Sequence, residues 1–243
     1  MRSTRWAVSG RGMILMIGVI GATLGLYPTP GASQTPRNLQ ILAGVDADQL
    51  QLIMEATRLS LGVECAFCHD PSSFASDLQE EKRTARRMME MVGELSQTTF
   101  ELLESPSCWT CHRGNTLPQS IVPETEPAPF IPTGVFRGST GPAGTAYENL
   151  SIFADIAAEE LEARMVVFAR SLGVGCEFCH NTADWASDEN IRKPLTRIMV
   201  QMQRDLNSRF FDGRDAISCW TCHRGAITPQ SSLPPTLVPP TNR

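Results

Sequence analysis

All eight cysteines and all four histidines of the 243-residue chain fall inside four strings of the form Cys-x-x-Cys-His. The strings occupy residues 65–69, 108–112, 176–180 and 219–223. Because no cysteine is left over, a disulfide framework is excluded, and because no other histidine remains, hydrolases that use a Ser-His-Asp triad are excluded as well. The chain is 42% hydrophobic and 19% charged, which predicts a folded protein rather than a disordered one.

The two halves of the chain repeat each other at a fixed offset of 111 residues. Residues 38–120 align with residues 149–231 without a gap, and roughly 35 of about 83 aligned positions are identical. Both strings of the first half recur in the second half at this offset, and so do Met54, Met88 and Met91. This self-similarity predicts a tandem, pseudo-twofold duplication of a module that carries two strings.

Each string has the spacing at which two thiols reach the vinyl groups of one porphyrin while the adjacent histidine binds its iron. A zinc site would need the strings to pair into four-ligand sets, and a thioredoxin-type pair would need a βαβ pattern that is absent. The sequence therefore predicts four covalently bound haem c groups, two in each module. The predicted attachment residues are Cys65, Cys68, Cys108, Cys111, Cys176, Cys179, Cys219 and Cys222, and the predicted iron-binding histidines are His69, His112, His180 and His223.

The second axial ligand of each iron cannot be histidine, since the four strings use every histidine of the chain. Methionine at helical spacing usually fills a core. Here, however, the distances to the strings recur in both halves, which favours iron ligation by Met54, Met165, Met88 and Met199. Met91 and Met202 repeat equally well and remain alternatives to Met88 and Met199. Thioether ligation raises the reduction potential, so we hypothesise haems of relatively high potential.

The fold is expected to be mainly α with long loops, a multihaem cytochrome c. Asp46, followed by Gln49, is a typical helix cap, and apolar residues then recur at helical spacing until Gly62 ends the helix. Ser76 or Asp77 is expected to cap a second helix that carries the later methionines. Few segments alternate with period two, so strands are not expected.

The chain divides by composition into five segments. Residues 1–33 carry three arginines, no acidic residue and an apolar run, which is the layout of a secretory signal. The predicted segments are a signal peptide or N-terminal membrane anchor at 1–33, dihaem module 1 at 34–115, a Pro/Gly-rich linker at 116–147, dihaem module 2 at 148–228 and a Pro-rich tail at 229–243. Without residues 1–33 the net charge is −8, from 18 basic and 26 acidic residues, which excludes nucleic-acid binding and favours a basic protein partner.

Several local strings resemble those of a known family, the tetrahaem cytochrome subunit of purple-bacterial photosynthetic reaction centres. They are Cys65-Ala-Phe-Cys-His69, Phe74-Ala-Ser-Asp77, Ala85-Arg-Arg-Met88 and Cys108-Trp-Thr-Cys-His-Arg-Gly114. The resemblance covers residues 38–120 and 149–231. It implies a helical, pseudo-twofold protein with four haems in a line, and axial methionines at Met54, Met88 and Met165. It also implies that the haem on His180 lies nearest the photooxidised chlorophyll pair.

One departure from the family concerns the fourth haem. Well-known members supply it with a histidine from the loop after the second helix of the first module, whereas residues 100–104 here contain none. Met199 is the natural substitute. The chain also lacks the cysteine that carries a lipid anchor in the family.

The resemblance implies a periplasmic electron-transfer protein without its own substrate site. It would take electrons from a soluble carrier, a cytochrome c or a high-potential iron-sulfur protein, and pass them to the special pair through the reaction-centre core subunits at the inner membrane. It would meet the membrane through this partner or its N-terminal segment. The alternative is a respiratory or general periplasmic carrier of the same fold. Arg86, Arg197, Arg113 and Arg224 are candidates to neutralise haem propionates, or are ordinary solvated arginines.

Overall fold

The computed structural model describes residues 37–98 and 105–237. The predicted segment 1–33 and the last residues of the predicted tail lie outside these ranges. Within the described residues, no helix has both the length and the apolar character needed to cross a membrane.

Helices and loops make up the described part of the chain, which contains no β-strand. The helices are α1 (Ala47–Leu61), α2 (Glu80–Thr98), α3 (Cys108–His112), α4 (Ala143–Ala146), α5 (Ala158–Leu172), α6 (Arg192–Phe210) and α7 (Cys219–His223), with single 3-10 turns at Cys65–Phe67 and Cys176–Phe178. Helices α1 and α3 recur as α5 and α7 at the offset of 111 residues, and α2 recurs as α6 one residue later. The predicted fold class is confirmed.

Helix α1 begins and ends where the sequence predicts. The carboxylate of Asp46 accepts a hydrogen bond from the backbone N–H of Gln49 at 2.8 Å, and Gly62 ends the helix with a φ of 67°. The chain approaches itself closely here, because a Cβ on Gly62 would collide with the carbonyl of Gly114. Gly173 repeats both features against Gly225. Both the positive φ and the close approach of the chain therefore require glycine at the ends of α1 and α5.

The predicted cap of α2 is wrong, because the helix starts at Glu80 rather than directly after Ser76 or Asp77. Asp77 instead accepts hydrogen bonds from Asn38 at 2.9 Å and from Arg86 at 2.8 Å. Its carboxylate thus joins three separate segments of the chain. Because Asp77 makes these contacts, it does not cap α2 as the spacing suggested.

The second strings of the two halves meet at the centre of the structure. Helix α3 packs against α7, while α1 packs on α3, α5 on α7 and α2 on α6. A buried cluster of Met91, Leu206 and Ile217 joins α2 and α6. The halves also exchange contacts, since Ser107 donates to the carbonyl of Ser231 and Ser218 donates to that of Ser120.

Candidate haem-binding sites

All four motif histidines orient their rings in the same way. In each, Nδ1 lies within hydrogen-bond distance of a backbone carbonyl a few residues further along the chain. The pairs are His69 with Phe74 at 3.0 Å, His112 with Asn115 at 2.9 Å, His180 with Trp185 at 3.3 Å and His223 with Ala226 at 3.0 Å. Because a carbonyl only accepts, Nδ1 carries the proton, and Nε2 is left with the lone pair that binds a metal.

The two strings of each half reach this arrangement through different local structures. In the first string, Cys65–Phe67 form a 3-10 turn, and the backbone N–H of Cys68 donates to the carbonyl of Cys65. In the second, Ser107 and Thr110 form a capping box at the start of α3, and Arg113 ends that helix in the left-handed conformation with a φ of 47°. Each segment thus supplies two thiols and an imidazole from five residues.

A cavity of about 430 Å³ surrounds the third string. Its walls include Cys176, Cys179, His180 and Met165, so the structure brings the predicted methionine to the same space as the predicted attachment residues. Phe168 and several other apolar residues complete the lining. An apolar cavity with two thiols, one imidazole and one thioether has the chemistry that covalent haem requires.

A second cavity, of about 390 Å³, is lined by one cysteine and the histidine of the second string. Cys108, His112 and Met88 line it, together with Cys68 of the first string. Met91, by contrast, is only 5% exposed and belongs to the buried cluster between α2 and α6. This geometry favours Met88 over Met91 as the residue that faces a bound group.

The other two predicted methionines lie on long helices. Met54 is on α1 and Met199 is on α6, and both are half-buried. Neither lines one of the two cavities described above. Met202, the alternative to Met199, packs against the same buried cluster as Met88.

Burial sets the protonation of the histidines. It lowers the pKa of His112, His180 and His223, which holds these imidazoles in the neutral form that binds metals. Burial also raises the pKa of the Cys219 thiol to about 11. At neutral pH, without a bound group, this thiol is therefore protonated.

The four arginines proposed as propionate partners fall into two pairs. Arg86 and Arg197 are mostly buried and form ion pairs of 2.8 Å with Asp77 and Asp188, respectively, so they are not simply solvated. Arg113 and Arg224 lie beside the second strings, and the Nε of each is buried with no hydrogen-bond partner in the part of the chain that the structure describes.

Two buried tryptophans also leave an N–H group unpaired within the described residues. Trp109 and Trp220 are 8% and 4% exposed, and their indole N–H groups have no hydrogen-bond partner among the described residues. Buried polar groups are rarely left unpaired in folded proteins. The unpaired N–H groups of Trp109, Trp220, Arg113 and Arg224 thus fit a polar group bound next to the second strings, as the carboxylates of a porphyrin would be.

Lys82 and Lys193 are residues that the functional assignment from sequence missed. Both ammonium groups contact the carbonyl that faces a motif histidine, that of Phe74 or of Trp185. The repeat offset that links the two lysines was visible in the sequence, but nothing there pointed to the carbonyls.

Comparison with known proteins identifies one family. The sequence model of the photosynthetic reaction centre cytochrome C subunit matches residues 27–135 and, a second time, residues 124–234. The photosynthetic reaction center cytochrome c subunit of Rubrivivax gelatinosus is 28% identical over 82% of the chain, and that of Thermochromatium tepidum is also 28% identical over 82%. The aligned parts span 68% and 61% of those two relatives. Cytochrome c-554 of Chloroflexus aurantiacus is 39% identical over 23% of the chain.

Proposed function

Because the chain belongs to the photosynthetic reaction centre cytochrome c subunit family, we propose that it is a tetrahaem electron carrier of the periplasm. In this role it passes electrons from a soluble carrier, a cytochrome c or a high-potential iron-sulfur protein, to the photooxidised special pair. The observation that carries the proposal is the fourfold recurrence of a Cys-x-x-Cys-His string whose histidine turns Nδ1 toward a carbonyl.

Each of the four strings holds one haem c through its two cysteines and its histidine. Haem c, when bound, supplies a one-electron couple between Fe(III) and Fe(II). Met54, Met88, Met165 and Met199 would supply a thioether to each haem, and such soft ligands favour Fe(II). The carbonyls at Nδ1 fix the tautomer and ring orientation of the histidines, so the ligand geometry is set before any electron arrives.

The arrangement of the strings supports a row of sites. The Sγ atoms of Cys111 and Cys222 are 3.7 Å apart, which places the second string of each half beside the other at the centre. Cys68 lines the cavity of His112, so the first string adjoins the second in the first half. The repeat extends the same relation to the second half. The order along the row is then 65–69, 108–112, 219–223 and 176–180, with the string of His180 at the end that faces the reaction centre.

The net charge of the chain without residues 1–33 supports a basic soluble protein as the electron donor. With a net charge of −8 after loss of residues 1–33, the surface attracts a basic soluble protein and repels nucleic acid. The chain then meets the inner membrane from the periplasmic side, through the reaction-centre core subunits or its N-terminal segment. We propose no substrate site of its own, since a histidine and a methionine at each iron would leave no position open.

Flash-induced absorbance of native membranes tests this function. We expect a flash to oxidise haem c within the membrane, and deletion of the gene to abolish that signal while the photooxidised pair persists longer. Haem c oxidation that is unchanged by the deletion would contradict the proposal. A chlorophyll-containing host that shows no flash oxidation of this chain would instead support the respiratory carrier.

A further inference from the structure

The chain contains only two lysines, Lys82 and Lys193, whereas its other 19 basic residues are arginines. The two lysines are 111 positions apart and therefore occupy equivalent places in the two halves. Their side chains are 10% and 12% exposed, which is unusual for lysine. The two lysine side chains of the sequence are therefore both mostly buried, and they occupy equivalent positions in the two halves.

Both ammonium groups reach the carbonyl that accepts from a motif histidine. Lys82 Nζ donates to the carbonyl of Phe74 at 2.8 Å, and His69 Nδ1 contacts the same oxygen at 3.0 Å. Lys193 Nζ donates to the carbonyl of Trp185 at 2.9 Å, which His180 Nδ1 contacts at 3.3 Å. This relay of three groups, a lysine ammonium, a backbone carbonyl and a histidine Nδ1, therefore recurs in both halves.

Several carbonyls converge on each ammonium group. Lys82 also donates to the carbonyl of Ser76 at 2.8 Å, and Lys193 to those of Ala186 at 2.8 Å and Ser187 at 3.1 Å. A rotatable ammonium with three donors satisfies such a set of carbonyls.

The other two motif histidines lack this relay. His112 faces the carbonyl of Asn115 and His223 that of Ala226, and both lysines of the chain are already engaged elsewhere. The four sites thus divide into two kinds. Sites 1 and 3, at His69 and His180, have a lysine on the carbonyl that accepts from the histidine. At sites 2 and 4, at His112 and His223, no described lysine or arginine donates to the corresponding carbonyl.

We propose that Lys82 and Lys193 are positioning residues that raise the reduction potentials of sites 1 and 3 through the carbonyls of Phe74 and Trp185. A carbonyl that accepts from Nδ1–H makes the imidazole a stronger electron donor to iron. An ammonium on the same oxygen withdraws electron density from it, and its positive charge favours the reduced iron directly. Both effects act in the same direction. The inference rests on the proposed attachment of haem at these strings.

The aspartates beside the two lysines offset part of the lysines' positive charge. Asp77 lies 3.4 Å from Lys82 and Asp188 lies 3.4 Å from Lys193, and each is also paired with an arginine. One lysine and one arginine therefore share one aspartate in each half, which leaves a net positive charge behind the histidine. Removal of the carboxylate must act in the opposite sense to removal of the lysine.

Potentiometric titration of the purified holoprotein tests the proposal. We expect Lys193→Met to move one of the four one-electron waves to lower potential and Lys82→Met to move a different one. The Fe(II) to Fe(III) ratio of the affected site, at fixed ambient potential, should fall on the order of tenfold. For a one-electron couple this is a shift of about 59 mV. Asp77→Asn and Asp188→Asn should move the same two waves upward.

Arg83→Met is the matched control. It removes a positive charge from the same turn of α2 as Lys82, but the guanidinium of Arg83 donates to the carbonyls of Asp77, Leu78 and Gln79 and not to that of Phe74. It should leave all four waves in place. Four bound haems with unmoved waves in the lysine variants would overturn the proposal, and so would an equal shift of all four. Loss of haem at sites 1 and 3 in all lysine and aspartate variants would also overturn it, since a purely structural lysine predicts that result. A wild-type chain with other than four haems would instead overturn the proposed function.

Discussion

Arg113 and Arg224, which follow the second string of each half, cross the centre of the protein and bind each other's string. The guanidinium of Arg113 donates to the carbonyl of Cys222 at 3.1 Å, and that of Arg224 donates to the carbonyl of Cys111 at 2.8 Å. Burial lowers the pKa of both guanidinium groups. The contact is reciprocal, as expected of a pseudo-twofold axis that passes between the two strings.

Replacement of either arginine should weaken the junction of the two halves. We expect Arg113→Met or Arg224→Met to lower the free energy of unfolding by about 2 kcal/mol, because a half-buried carbonyl loses a charge-assisted hydrogen bond. Chemical denaturation of the holoprotein measures this. Arg214→Met, at a side chain that is 76% exposed, is the control and should change stability little. Equal losses in the central and control variants would contradict the assignment.

The glycines that end α1 and α5 should tolerate no side chain. We expect Gly62→Ala or Gly173→Ala to cost about 3 kcal/mol, since the left-handed backbone disfavours alanine and its Cβ would meet a backbone carbonyl. Gly44→Ala is the matched control, because Gly44 has a φ of +91° but open space around its Cα. It should cost only about 1 kcal/mol. Thermal unfolding of the three variants separates the steric part from the conformational part.

The carboxylates beside the lysines should make stability depend on pH in the acid range. Hydrogen bonds from Asn38 and Arg86 lower the pKa of Asp77 to about 2, and those from Arg197 and Asn149 lower the pKa of Asp188 further. Because the folded pKa lies below the unfolded one, the stabilisation is complete above about pH 4 and is lost as the pH falls toward about 2.

The double variant Asp77→Asn, Asp188→Asn measures this contribution. Its melting temperature should lie below that of the wild type at neutral pH, and the gap should close as the pH falls from about 4 to about 2. Asp212→Asn removes an exposed carboxylate and serves as the control for net charge. A gap that stays constant through the acid range, or that closes equally in the control, would rule out these ion pairs as the cause.

Local features of the fold could be predicted from the sequence, and long-range ones could not. Asp46 and Gly62 cap α1 through contacts within a few residues, so their roles were readable from spacing alone. The start of α2 was mispredicted because Asp77 binds Asn38, 39 residues earlier in the sequence, and Arg86 within the helix, instead of capping the first turn. The resemblance to the family is confirmed by its two matches.

The repeat shows that the halves are alike, but it does not say how they meet. Contacts such as that between Arg113 and the carbonyl of Cys222 depend on the axis that relates the halves, and no local pattern encodes that axis. The choice between Met88 and Met91 has a similar cause. Both lie on α2 one turn apart, and only the packing of α6 decides which is buried and which faces a cavity.

Substitution of these methionines should therefore have unequal effects. We expect Met88→Leu to remove the thioether from one of the four irons. This should reduce the near-infrared absorption that Met–Fe(III) ligation produces and lower one of the four potentials, because a soft thioether favours Fe(II). Met91→Leu should leave both observables unchanged and cost less than about 1.5 kcal/mol, since it conserves the volume of a buried side chain. The reverse pattern, with the spectrum altered by Met91→Leu and not by Met88→Leu, would assign the ligand to Met91. The corresponding pair on α6, Met199→Leu and Met202→Leu, applies the same test to the ligand proposed at Met199.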